Sequence, residues 1–207
     1  DALRNALAIG MARRVARLRR ALGPVPLCGY SLHRFEPLGV TILAARPHSV
    51  GGPRLAFRRY MARRFKVGTL EESAARLRAM FDEIAVGERV IVLAHCGPSG
   101  LGDTRDAIFG NDFRPEQGDW GDPDLAAALA YARETGKSVV AVVAGHMHHH
   151  LRGGGTRTWH VRHDGIDHVN AARVPRRRRR AGDERHHVRL TLTGDACEIE
   201  PVWLSAQ

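Results

Sequence analysis

Lysine is almost missing from this chain: only Lys66 and Lys137 stand among 32 Lys and Arg residues. Such arginine dominance follows GC-rich codon usage as readily as selection for anion binding. The net charge of +10 therefore leaves a nucleic-acid partner open without favouring it. Cysteine is scarce as well. Cys28, Cys96 and Cys197 lie far apart, are odd in number and form no CxxC, which argues against a disulfide scaffold and for a reduced, cytoplasmic compartment. No apolar run approaches the roughly 18–20 residues of a membrane span, so no membrane partner is expected. The N-terminal stretch lacks the continuous apolar core and cleavage site of a signal peptide. Aromatic residues make up only 6%, and none sits beside the Arg-rich stretches, which argues against a single-strand stacking platform.

What is present is a hydrophobic fraction of 43% in 207 residues, enough for one domain with a real core over 1–207. Leu3, Leu7, Met11, Val15, Leu18 and Leu22 recur at helical spacing, so 2–22 reads as a helix. Its charge concentrates in Arg13, Arg14, Arg17, Arg19 and Arg20. A strand over 39–45 and a helix over 54–65 follow. A further helix opens at Thr69, with Glu72 at capping-box spacing. The segment from Cys96 to Asp124 is rich in Gly and Asp and reads as a long loop. Asp122 and Pro123 then give a helix cap and first position, and Gly136 ends that helix. After the histidines, alternating stretches read as antiparallel strands. The run from 176 to 185 reads as an Arg-rich exposed loop. The order predicts an α/β layered sandwich with a β-rich C-terminal half.

The two most apolar stretches carry the chemistry. "VIVLAH" and "VVAVVAGHMHHH" read as central strands of a covered sheet, each ending in histidine. Ligands of open α/β sheets bind beyond the carboxyl ends of the strands, and neighbouring strands lie about 4.8 Å apart. His95 and His146 can therefore face one metal ion. His148, two positions on, points the same way in an extended segment, and imidazole suits Zn, Fe or Mn. His149 reads as supporting these ligands or the substrate, and His150 as a surface group. His33, His48, His160, His163, His168, His186 and His187 carry no such context. Among the loop carboxylates, Asp103 and Asp119 are free candidates for metal or substrate, whereas Asp122 is explained as a helix cap.

"GHMH" at the end of a buried strand resembles the Gly-His-x-His motif of calcineurin-like metallophosphoesterases. "LAHCGPSGLG" resembles the histidine motif that precedes it in that superfamily. "RPHSVGGP", "GDWGDPDL" and "VNAARVPR" resemble an uncharacterised bacterial and plant branch, over most of 38–175. The resemblance implies a four-layer αββα sandwich, two divalent metal ions (Mn, Fe or Zn) and hydrolysis of a phosphate mono- or diester. Two ions about 3.5–4 Å apart can stabilise both the attacking and the leaving oxygens. By position, His95 and His146 would bind one ion and His148 the other. The family's Asp-x-His, Gly-Asp and Gly-Asn-His-Asp motifs do not occur here. The expectation is a chain that begins after them, with N-terminal strands, bridging carboxylate and leaving-group acid upstream, and therefore with fewer metals and half a site. Two alternatives stand beside it: a mononuclear Zn²⁺ site on His95, His146 and His148, and a non-enzymatic basic module that binds nucleic acid.

Overall fold

A computed structural model describes residues 2–178, 183–194 and 196–205, with side chains from Ile9 onward. The protein is mixed α/β. In chain order it forms α1 (Ala2–Leu22), β1 (Ser31–Phe35), β2 (Val40–Ala44), α2 (Arg58–Phe65), α3 (Leu70–Asp82) and β3 (Arg89–Leu93). Then come α4 (Pro123–Glu134), β4 (Ser138–Ala144), β5 (His160–His163), β6 (Ile166–Asn170), β7 (Arg177–Arg178), β8 (Glu184–Thr193) and β9 (Ala196–Ser205).

Local signals account for most boundaries. Thr69 accepts a hydrogen bond from the Glu72 amide at 3.1 Å, and the Glu72 carboxylate accepts one from the Gly68 amide at 2.5 Å. Glu72 thus reaches one residue further back than a standard capping box. The helix expected from residue 54 starts only at Arg58, because Phe57 adopts a left-handed conformation (φ 52°). Within α1, Val15 is buried and Met11 half-buried, but Leu18 is 45% exposed. Leu3 and Leu7 lie outside the described side chains.

Six strands form one sheet in the order β1-β2-β3-β4-β6-β5, in which β2, β3, β4 and β6 run parallel and the two edge strands antiparallel. β3 and β4 are central neighbours, as their apolar sequences predict. One face packs Leu43, Val90, Val92 and Val142 against Leu77 and Phe81 of α3 and Leu125 and Ala128 of α4. Each such large apolar side chain contributes about 1.5–3 kcal/mol on burial. The other face is less covered than the sequence suggests: Ile42, Ile91, Val140 and Val143 are half-buried, and Leu93 is 37% exposed. β7, β8 and β9 make a separate three-stranded sheet, tied to β3 where Arg89 donates to the Gly194 carbonyl at 2.8 Å.

Two expectations for the C-terminal half change. β6 is not purely a hairpin partner, since it also pairs in parallel with β4. The span 176–185 is only partly a loop. Arg176, Arg177 and Arg178 are exposed, but Arg177 and Arg178 pair with Arg185 and Glu184 across a hairpin; residues 179–182 lie outside the described residues. Among the described residues, no helix is long and apolar enough to cross a membrane.

Candidate functional site

Parallel strands deliver their carboxyl ends to one edge of the sheet. The exits of β2, β3 and β4, three neighbours, carry His48, His95 and His146. The His95 and His146 rings stand 4.8 Å apart between centroids, tilted by 49°. His48 belongs to the same group: its imidazole is held below the usual histidine range by burial and then by the charge of His95. His146 is lowered by burial, then by His95, with a smaller push from His148 and an opposing hydrogen bond with the Val50 backbone. Lowered values keep both rings neutral near pH 7, with lone pairs free for a proton or a metal.

His48 (φ 60°) and His146 (φ 67°) both take left-handed backbone conformations. Non-glycine residues held there carry strain and cluster at functional sites. The sequence reading passed over His48 because no repeat or His-x-His spacing marks it. Its signal was positional, a histidine shortly after an apolar strand.

The remaining candidates separate. His148 is exposed, while Met147 between it and the half-buried His146 is buried. His149 turns inward and its Nε2 lies 2.7 Å from the Asn170 carbonyl. That bond gives it a structural role in holding the backbone at Asn170. Asp119 is engaged by its own loop, accepting from the Gly100 amide at 2.5 Å and the Gly121 amide at 2.8 Å. Asp103 is exposed. Cys96, beside His95, is buried and its thiol is pushed well above the usual range by burial and then by Asp122. It is therefore no nucleophile.

Beneath the histidines lies a buried ionic network that the sequence reading missed. Arg46, at the exit of β2, donates through Nε to Asp124 at 2.8 Å and through Nη2 to Asp122 at 2.6 Å. Ser49 also donates to Asp122 at 2.6 Å. Ser73 donates to Asp124 and lies 2.7 Å from the Tyr30 hydroxyl. The Asp122 backbone does precede α4, as a cap should, but its side chain makes no capping bond. A buried guanidinium is costly without counter-charge, and Arg46 draws both carboxylates away from the helix start. Burial, partly opposed by Arg46, pushes the Asp122 carboxyl up to about 7.

The long loop after β3 is ordered by its own small core, with Ile108, Phe109 and Cys96 against Met147. Arg157 pins it from the far side, donating to the Ala107 and Gly110 carbonyls and to Asp112, each at 2.7 Å, and to the His148 carbonyl at 3.1 Å. Trp120 closes the near side by donating to the Val50 carbonyl at 2.9 Å. It sits so close to Gly51 that a Cβ there would lie 2.3 Å from the Trp120 carbonyl oxygen.

Among the described residues, no group of three or more His, Cys, Asp or Glu side chains is placed to hold a metal ion. Two imidazoles face each other, but the neighbouring carboxylates are engaged by Arg46, Arg157 or loop amides. The described residues therefore do not fit a complete two-metal centre; they supply imidazole donors without a bridging carboxylate. No protein-family model matches the chain, and neither the curated proteins nor the solved structures give a match.

Proposed function

We propose that the strand-end histidines are the imidazole side of a phosphoesterase site, and that the protein acts in metal-dependent hydrolysis of a phosphate mono- or diester. The four-layer αββα sandwich belongs to the same reading. The observation that carries it is the His95–His146 pair, 4.8 Å apart at the exits of two central parallel strands. Paired imidazoles at such an edge suit a divalent ion or a phosphate oxygen. The half-open second face of the sheet, where Leu93 is exposed, leaves room for a second layer. His148, exposed two residues after His146, is the further donor of this reading. The test is hydrolysis of bis(p-nitrophenyl) phosphate and p-nitrophenyl phosphate with Mn²⁺ by the protein. His146→Ala should abolish turnover, and unchanged turnover would sink the assignment.

A second reading is a single Zn²⁺ on His95, His146 and His148, which needs His148 to join the His95–His146 pair, because no three such side chains stand together among the described residues. Metal analysis separates the two. About one tightly held equivalent of zinc, lost in His95→Ala, favours the mononuclear site.

A further inference from the structure

The positive charge is not spread over the molecule. Residues 1–66 carry 14 Lys and Arg against two Asp and Glu, a net +12, whereas the remaining 141 carry 18 against 20. The whole excess therefore belongs to the segment that forms α1, β1, β2 and α2. At about 100° per residue, Arg13, Arg17 and Arg20 stand opposite the stripe that Met11, Val15 and Leu22 turn inward. All three are exposed, as are Arg58 and Arg64 on α2, against which α1 packs. None of these five has a carboxylate partner among the described residues. The Arg-rich C-terminal hairpin is different, because Arg177 pairs with Asp183, Arg178 with Glu184 and Arg189 with Glu200. The charge of these three is cancelled locally, and that of the five arginines named on α1 and α2 is not.

The helix α2, which carries part of the basic face, packs against one of the strand-end histidines. The His48 ring lies 5.5 Å from Tyr60 of α2 and 6.4 Å from Phe57 at its start. We propose that α1 and α2 form a docking face for the phosphodiester backbone of a nucleic-acid duplex, and that this backbone is the phosphate ester presented to the histidines. The second half of that statement rests on the phosphoesterase reading; the first does not. Guanidinium forks match phosphate oxygens bidentately, and backbone contacts of this kind need no base recognition. A duplex is favoured over a single strand because the face holds few exposed aromatics on which bases could stack. It is favoured over a membrane because Val15 and Met11 of the α1 stripe are turned onto the core, leaving arginines outward and, among the described side chains of the helix, only Ile9 and Leu18 as exposed large apolar groups.

The experiment is fluorescence anisotropy of a short labelled DNA duplex, with an RNA duplex in parallel, on the full chain in EDTA so that no metal-dependent cleavage intervenes. With about five phosphates neutralised, affinity should fall about 500-fold from about 50 to about 200 mM NaCl. The variant Arg13→Gln/Arg17→Gln/Arg20→Gln should lower the salt slope by about 2.7. Its circular-dichroism melt should match the parent, since these side chains are exposed. Arg178→Gln should bind like the parent. Absence of binding at low salt, an unchanged slope in the triple variant, or binding to phosphatidylserine vesicles with none to duplex overturns the proposal. Duplex binding without any effect of His146→Ala on hydrolysis would leave the docking face standing and remove the catalytic reading. The opposite pair of results would do the reverse.

Discussion

Asp122 is the group whose charge state the fold most clearly controls. Arg46 is shared between two buried carboxylates, and the sharing is unequal. Asp124 receives Arg46 Nε at 2.8 Å and Nη2 at 3.1 Å, whereas Asp122 receives Nη2 alone, with Ser49. One guanidinium cannot neutralise two buried anions, so the less well held carboxyl takes up a proton. Its rise from 3.8 to about 7 is roughly three pK units, or ~4 kcal/mol at 1.36 kcal/mol each. Above about pH 4 the unfolded chain releases this proton while the folded chain keeps it. Stability must then fall as pH rises, until about pH 7, where the folded form also ionises. Asp122→Asn copies the protonated form and can still accept from Arg46 and Ser49. Urea unfolding of parent and variant at pH values from about 5 to about 8 isolates the effect. The variant's stability relative to the parent should grow by ~3 kcal/mol across that range. Any hydrogen bond lost to the amide shifts all points equally and leaves the trend intact. A difference that stays constant to within ~0.5 kcal/mol would mean that Asp122 is ionised throughout and that the attraction of Arg46 exceeds the cost of burial.

Three further outcomes follow from the same structure. Arg157→Met leaves Asp112 and two loop carbonyls buried without their donor and should cost about 3–5 kcal/mol in urea unfolding, with loss of order around His148. Gly51→Ala places a methyl against the Trp120 carbonyl at a φ of 72°; a loss of at least ~2 kcal/mol and a shift in tryptophan emission are expected. His168 is 3% exposed and pushed down to about 4 by burial and then by His163. It therefore stabilises the fold fully above about pH 6.5 and loses ~3 kcal/mol of that contribution as pH falls towards 4; His168→Leu should flatten this acid limb.

The way these elements were legible follows from the range of the forces involved. α1, α3, α4 and the two central strands are written in short-range signals: helical spacing, the Thr69 cap, Asp122-Pro123 before a helix, and continuous apolar runs. These act within a few residues, so a single sequence displays them. The strand-end position of His95 and His146 was legible for the same reason, because each histidine directly follows its strand. His48 was not, since three residues separate it from β2 and its membership depends on β2 lying next to β3. Arg46, Ser49, Asp122 and Asp124 were harder still. Their meeting is made by β2, the loop after it and the start of α4, more than seventy residues away along the chain. The local rule for Asp122 was right about the backbone and wrong about the side chain. A capping bond contributes about 1 kcal/mol, whereas leaving a buried guanidinium unpaired costs several. Where a local preference and a buried charge compete for one carboxylate, the larger energy decides, and only the fold shows that the competition exists.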